Sequence, residues 1–413
     1  MTHVAAGSPM PTDWKHHLDA IVADSGGELV SLRRDLHAHP EPSGAELETS
    51  LVLYQKLDTA GLTVRMGPDG CGVVADNAAA DGAPRIAIRG DIDALRIQDE
   101  KPVTYRSTRD GVMHACGHDA HAAMVTYAAT ALRRLEADGR APWPLAWRAI
   151  LQPAEETATG ARAMMAAGAM EGVAAIYGLH VDPTRRAGEI GLRTGAFTAH
   201  CDSIHITVEG RGGHGARPHE SRDPIAAAAQ LVSTLYQFVP RANDSLDATV
   251  LSFGRIAGGE NANVIPEVVH LDGTLRTLES LVRRQTIEKI HQVARGVAEA
   301  TDTQINVELG ASIPSVYNDV EAARLLSEAA GDMAGEIVVR HIPRPSMGSE
   351  DFACYLERAP GAMFRLGVAR DLNAITPLHT PTFDIDEAAL AIGVKLLART
   401  VVMACKPVAT AGA

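Results

Sequence analysis

The chain has 413 residues, 46% of them hydrophobic and 22% charged, enough material for two or three domains at about 150 residues each. Its 51 acidic and 38 basic residues leave a net charge of −13, and no block of Lys or Arg offers the basic face that a nucleic acid or a polyanion requires. Five scattered cysteines do not make the framework of a small secreted domain. No segment nears the ~18 consecutive apolar residues of a membrane span, and Asp13, Lys15, Asp19 and Asp24 interrupt any secretion signal at the start. A reducing cytoplasm is the expected compartment.

In chain order, apolar spacing predicts a helix from about Trp14 to Leu36, broken by the two prolines and the glycine of the run from His37 to Gly44. A second helix is expected from about Ala45 to Ala60, stopped by Gly61. Short apolar or β-branched runs follow at Gly72–Ala75, Ile86–Ile88, Trp147–Leu151 and Ala174–Leu179, with helical stretches at Ala120–Leu135 and Ala161–Ala167. Strands alternating with helices predict a mixed, largely parallel sheet with helices on both faces. The texture changes near Thr194. A strand at Ser203–Val208, a helix from Pro224 with Asp223 as N-cap, strands at Thr249–Ile256 and Val268–Leu275, a helix at Leu278–Thr301 and a strand at Gln304–Leu309 make the order β-α-β-β-α-β of a ferredoxin-like α+β unit. The expected organisation is a catalytic α/β domain in two pieces, residues 1–193 and 312–413, with a lid or dimerisation domain inserted at 194–311. An Ala/Gly-rich tail closes the chain.

The densest chemical signal is His114-Ala115-Cys116-Gly117-His118-Asp119-Ala120-His121. Thiolate and imidazole suit zinc and its neighbours, and Asp119 is placed either to orient an imidazole or to cap the helix that follows. No second Cys lies at zinc-finger spacing. Gln152-Pro153-Ala154-Glu155-Glu156 follows a strand, and an extended segment would send the two carboxylates opposite ways, one to a metal and one to a substrate. Gly178-Leu179-His180 ends a further strand, Gly90-Asp91-Ile92-Asp93 follows another, and Leu378-His379-Thr380-Pro381 lies in the closing segment. Asp91, Glu155 and His180 thus fall beyond the C-terminal ends of three separate strands, where open α/β sheets bind ligands. The combination favours a two-metal site that activates water for hydrolysis. In the inserted unit, His214 and Asn263 lie in glycine-rich turns and Arg276 ends a strand. The run from Met347 to Phe352 could be a plain helix start capped by Ser349. Neither a dinucleotide fingerprint nor a G-x-S-x-G elbow is present.

Taken in order, these motifs, from Arg33-Arg34-Asp35-Leu36-His37 and Pro40-Glu41 to Leu378-His379-Thr380-Pro381-Thr382-Phe383, resemble the dinuclear metallo-amidohydrolases. That group includes aminoacylases, hippurate hydrolases and plant auxin-conjugate hydrolases, within the aminoacylase and carboxypeptidase G superfamily of metallopeptidases. The resemblance implies hydrolysis of N-acyl amino acids, with Cys116 bridging two divalent ions (Zn, Mn, Co or Ni). His118, Glu156, His180 and His379 would complete the ligand set, and Glu155 would be the general base. It implies supporting roles behind the ligands for Asp91, Asp93 and Asp119, and substrate contacts for His214, Asn263, Arg276 and Gly348. A homodimer or larger homo-oligomer is expected, with no nucleic-acid or membrane partner. Arg96 and Asp99 stand where relatives commonly carry proline and glutamate, and Ala122 where threonine is frequent. A dipeptidase on the same site, a binding protein on an inactive scaffold and a thiol amidase using Cys116 and His118 are the competing readings.

Overall fold

The computed structural model describes residues 14–77 and 82–407, so the Ala/Gly-rich tail at 408–413 and Asp13 lie outside the described residues. The chain forms two compact units. One comprises the chain up to Gly195, Asn318–Pro343 and the chain from Cys354 onward, and the other comprises Ala196–Tyr317 with Arg344–Ala353.

The first unit is built on an eight-stranded sheet in the order Thr63–Met66, Val73–Asp76, Trp147–Gln152, Arg85–Asp91, Val173–Arg186, Gly361–Ala369, Glu189–Leu192 and Val338–His341. Its four central strands, from Trp147–Gln152 to Gly361–Ala369, run parallel. Their apolar runs (Ile86, Ala87 and Ile88; Ala149, Ile150 and Leu151; Ala362, Met363 and Phe364) are buried, as strands covered on both sides must be. Antiparallel pairings join the flanking strands to this centre. Helices His118–Ala137, Ala388–Ala404, Gly26–Ala38 and Trp14–Asp24 pack on one another in the same core.

Two expectations change here. The first long helix is two helices, because the Ser25 hydroxyl donates back to the carbonyls of Ile21 and Val22 and the glycines Gly26 and Gly27 follow. The strand expected to end near Leu179 continues to Arg186, so His180 lies within it.

The second unit holds a four-stranded antiparallel sheet in the order Thr249–Ala257, Val268–Thr277, His200–Glu209, Gln304–Ile313. By chain order this is second, third, first, fourth, the split β-α-β arrangement the sequence predicts. Helices Pro224–Ala242 and Ser280–Thr301 bury Leu231, Leu235, Ile290 and Val297 against it. Asp223 caps the first of them, its side chain accepting from the amides of Ile225 and Ala226. The last strand runs past Leu309 through a register shift between Leu309 and Ser312, which breaks the alternation that sequence reading relies on. The unit extends to Tyr317 and takes in Arg344–Ala353, a stretch that the sequence reading places with the closing part of the catalytic domain. Among the described residues no helix is long and apolar enough to cross a membrane.

Candidate metal centre and active site

Four backbone features of the first unit bring the ligand-type residues together. Asp91 closes the strand Arg85–Asp91, and Asp93 follows two residues later. The loop ending at Cys116 turns through Gly117, whose φ of +84° admits no ordinary side chain. A Cβ there would stand 2.5 Å from Val181 Cγ2. The helix His118–Ala137 begins at once, placing His118 on its first turn. His379, in the left-handed region with φ +59°, donates its N–H to the Ala115 carbonyl at 2.8 Å and so ties the closing segment to the Cys116 loop.

The result is a cluster around one thiol. Cys116 Sγ lies 3.5 Å from His180 Nε2 and 3.3 Å from His379 Nε2, and His379 Nε2 lies 3.5 Å from Glu156 Oε1. Ligand atoms of Cys116, His118 and His180 fall within 4.8 Å of one another, and so do those of Cys116, Glu156 and His379. Two three-residue groups therefore share a single sulfur. His118, Glu155 and Glu156 form a third such group.

The tautomers are set from behind. His118 Nδ1 donates to the carbonyl and Oδ1 of Asp93, both at 3.0 Å, and His180 Nδ1 donates to the Val181 carbonyl at 2.8 Å. Each Nε2 is left facing the cluster, with a lone pair free to ligate a cation when the ring is neutral. His118 Nε2 and Glu156 Oε1 are buried with no hydrogen-bond partner, 3.9 Å apart. Orphaned buried polar atoms of this kind are rare in folded proteins, and a thiol, imidazoles and a carboxylate turned toward one another fit divalent cations such as zinc.

His121, third histidine of the motif, does something else. Its Nδ1 pairs with Asp91 Oδ1 at 2.5 Å and its Nε2 accepts the Val181 N–H at 2.9 Å, so both ring nitrogens are consumed. His114 is buried with neither ring nitrogen bonded, and burial pushes its pKa down to about 4. Asp119 is not a helix cap; its Oδ2 accepts from Arg33 Nε at 2.8 Å and His37 Nδ1 at 2.7 Å. The imidazole it orients is His37, which also meets Lys101 Nζ at 2.9 Å and Asp99 at 3.3 Å. Asp99, one of the departures from the usual pattern, is thus a buried partner of that network. Of the other two, Arg96 is exposed and Ala122 is buried.

Electrostatics follow burial and these pairs. Burial pushes the Cys116 thiol far above the ordinary range, more than His118 beside it offsets. A cation held by the thiolate reverses that balance. Burial, with Arg365 and His121, holds His180 neutral, the form that ligates. Burial also opposes charge on His118, but Asp91, Cys116 and Asp93 together outweigh it and raise its pKa. Asp93 stays ionised despite its burial because His118 and Ser43 donate to it.

The segment carrying Glu155 and Glu156 corrects the extended geometry expected from sequence. The ladder stops at Gln152, and residues 155–158 form a turn entered through Ala154 at φ +52°. Both carboxylates therefore reach the neighbourhood of His118 instead of diverging. Asp93 Oδ2 accepts the Glu156 N–H at 3.0 Å, so one carboxylate orients His118 and fixes this turn.

The remaining expected residues lie in the second unit. His214 sits in a two-residue strand, Gly213–His214, paired with Val264–Ile265, and the Asn263 carbonyl accepts the Gly215 N–H at 2.8 Å. Arg276 donates to the Met347 carbonyl at 2.8 Å. The neighbouring Gly348 accepts the Ala199 N–H at 2.9 Å. The helix start at Phe352 is capped by Glu350, whose Oε1 accepts the Phe352 N–H at 3.1 Å, and not by Ser349. Sequence reasoning left out Arg33, His37 and His121 as supports; their signal was there, in charged and imidazole side chains on otherwise apolar helix faces that proved wholly buried.

Comparison with known proteins places this arrangement. Residues 87–403 match the family described as Peptidase family M20/M25/M40. The chain is 38% identical over 378 residues to N-acetylcysteine deacetylase of Bacillus subtilis (strain 168), covering 91% of this chain and 96% of that protein. It is 33% identical over 372 residues to hippurate hydrolase of Campylobacter jejuni, covering 90% and 94%. A solved dinuclear metal-binding peptidase of the M20 family from Bacillus subtilis superposes with a TM-score of 0.80 at 35% identity, over 93% of this chain and 99% of that one. The chain belongs to the M20/M25/M40 peptidase family and is a hydrolase.

Proposed function

We propose that this hydrolase cleaves the amide bond of N-acyl amino acids, releasing a carboxylate and a free amino acid. The carrying observation is the pair of three-residue groups that share Cys116. Cys116, His118 and His180 would hold one divalent ion, and Cys116, Glu156 and His379 the other. When bound, the ions supply the Lewis acidity that lowers the pKa of water and polarises the scissile carbonyl. Glu155, on the turn beside His118, takes the proton of the attacking water and delivers it to the leaving amine. Asp93, Asp91 and His121 keep the imidazoles and the turn in place. The substrate class is supported by the relatives, one named for N-acetylcysteine and one for hippurate, both N-acyl amino acids. Arg276, His214, Asn263 and Gly348 are assigned to substrate recognition on the family pattern, and the protein to a homo-oligomer in the cytoplasm.

The reading is tested by assaying purified, cation-loaded protein on N-acetyl, N-benzoyl and indole-acyl amino acids beside unmodified dipeptides. At least one acyl-amino acid series is expected to be cleaved with higher kcat/KM than any dipeptide, and prolonged EDTA treatment to abolish the activity. Preference for dipeptides would move the assignment to a dipeptidase on the same residues. Survival in EDTA with loss to iodoacetamide would make Cys116 a nucleophile.

A further inference from the structure

The turn that carries the two glutamates is strained at its first residue. Ala154 has φ +52°, in the left-handed region that disfavours every L-residue. Such conformations persist where the surroundings over-determine them. Several contacts do so here. The Ala154 carbonyl accepts the N–H groups of Thr159 and Gly160, and Gly160 packs so closely that a Cβ would stand 1.6 Å from the Pro153 oxygen. On the donor side a single side chain acts: Glu46 Oε1 accepts the Ala154 N–H at 2.8 Å, from 108 positions earlier in the chain.

Glu46 is an expensive way to hold one amide. It precedes the helix Leu47–Thr59 and is completely buried. Burial pushes its carboxyl above the ordinary range, only partly offset by the backbone N–H groups around it, and it lies against the Cys71 thiol. An apolar residue of similar volume would fill the same space without that desolvation cost. The carboxyl makes none of the contacts of the cation cluster. Beyond the amides at its own helix start and the Cys71 thiol, what it reaches is the peptide immediately before Glu155.

We propose that Glu46 is a positioning residue, which locks Ala154 in its left-handed conformation and thereby aims the Glu155 carboxylate. The proposal rests on the reading of Glu155 as proton carrier. Without the acceptor at Ala154, the peptide relaxes toward the ordinary helical or extended regions and swings the following side chain. Misplacement of about 1 Å at a reacting group costs on the order of 10²-fold in rate.

The test compares Glu46→Leu, which removes the acceptor, with Glu46→Gln, which keeps a carbonyl oxygen in the same place. Glu46→Leu is expected to keep its circular dichroism and its cation count and to lose about 10–100-fold in kcat, with KM changed less than about twofold. Residue-resolved hydrogen exchange should show the Ala154 amide exchanging faster. Glu46→Gln should stay within about threefold of wild type in kcat and protect the amide, because a neutral acceptor suffices. If Glu46→Leu does not fold, Glu46→Asp, which withdraws the oxygen by one methylene, carries the same expectation. Wild-type kcat in the acceptor-less variant overturns the proposal. So does an equal loss in Glu46→Gln, or loss of cations in step with activity. Glu155→Gln, measured alongside, separates the two claims. If it remains fully active, the role of Glu155 fails; if it is inactive while the Glu46 variants match wild type, only the positioning fails.

Discussion

Glu155 and Glu156 are neighbours in sequence, lie on one turn and approach the same histidine, and the proposed function gives them different work. Glu156 Oε1 is buried, faces His379 Nε2 at 3.5 Å and has its own N–H pinned by Asp93. The proposed function makes it a ligand, and Glu156→Gln should then lower cation affinity, since a neutral amide is a poorer donor than a carboxylate. Glu155→Gln should retain its cations and lose ~10²–10⁴-fold in kcat, the range for a general acid–base, with KM nearly unchanged. Metal analysis and kcat on both variants decide the matter, and loss of cations from Glu155→Gln alone would reverse the two roles. At this scale the sequence was most informative: the residue types and order from His114 to His121, with Glu155, Glu156, His180 and His379, were enough to expect one cluster. Residue types and spacing do not separate the three histidines; only the family resemblance singles out His118. That His118 faces the cluster, His121 is spent on Asp91 and Val181, and His114 is unpartnered depends on tertiary contacts 25 to 60 residues away or on burial. The same holds for Ala154, whose backbone conformation no propensity scale anticipates.

Elements position the site through their ends. The cluster sits where the loop to Cys116 becomes a helix, where the strand Trp147–Gln152 gives way to a turn, and within the long strand Val173–Arg186. Gly117 is the joint between the first and the last of these, with φ +84° and the Val181 side chain against it. Gly117→Ala must either shift Val181, beside His180, or move the Cys116 loop. A loss of ~1–3 kcal/mol in stability is expected for the overpacking and the left-handed backbone together, with weakened cation binding. Thermal melts with and without added Zn²⁺ read both effects; a variant with wild-type melting temperature and cation affinity would show that this joint does not set the thiol's place. The elements themselves were largely legible, because periodicity and caps act locally: the helix behind Asp223 starts where its N-cap predicts. Their ends were less so. The strand through His180 outran its apolar run by hydrogen bonding to Gly361–Ala369, and the last strand of the second unit passed through a bulge, and neither event leaves a mark in composition.

Taken whole, the chain is two units with separate cores, a large mixed sheet and a ferredoxin-like sheet. All five expected cation ligands and the expected proton carrier belong to the first unit. Around them lie buried charged pairs: Arg33 and His37 on Asp119, Asp99 and Lys101 on His37, Asp93 on His118, and Asp91 on His121. So many paired charges in a hydrophobic core are costly unless they hold something in place. On the proposed function, Cys116 lies between two cation sites whose occupancy is required for amide hydrolysis. The most direct measurement is activity against bound cation, adding Zn²⁺ or Mn²⁺ back to stripped, correctly folded protein while counting ions per chain by elemental analysis. Hydrolysis of an N-acyl amino acid should be absent in the stripped protein, rise with bound cation and level off at two per chain, with Cys116→Ala failing to reach that plateau. Full activity in protein shown to be cation-free, or an unchanged plateau in Cys116→Ala, would contradict it.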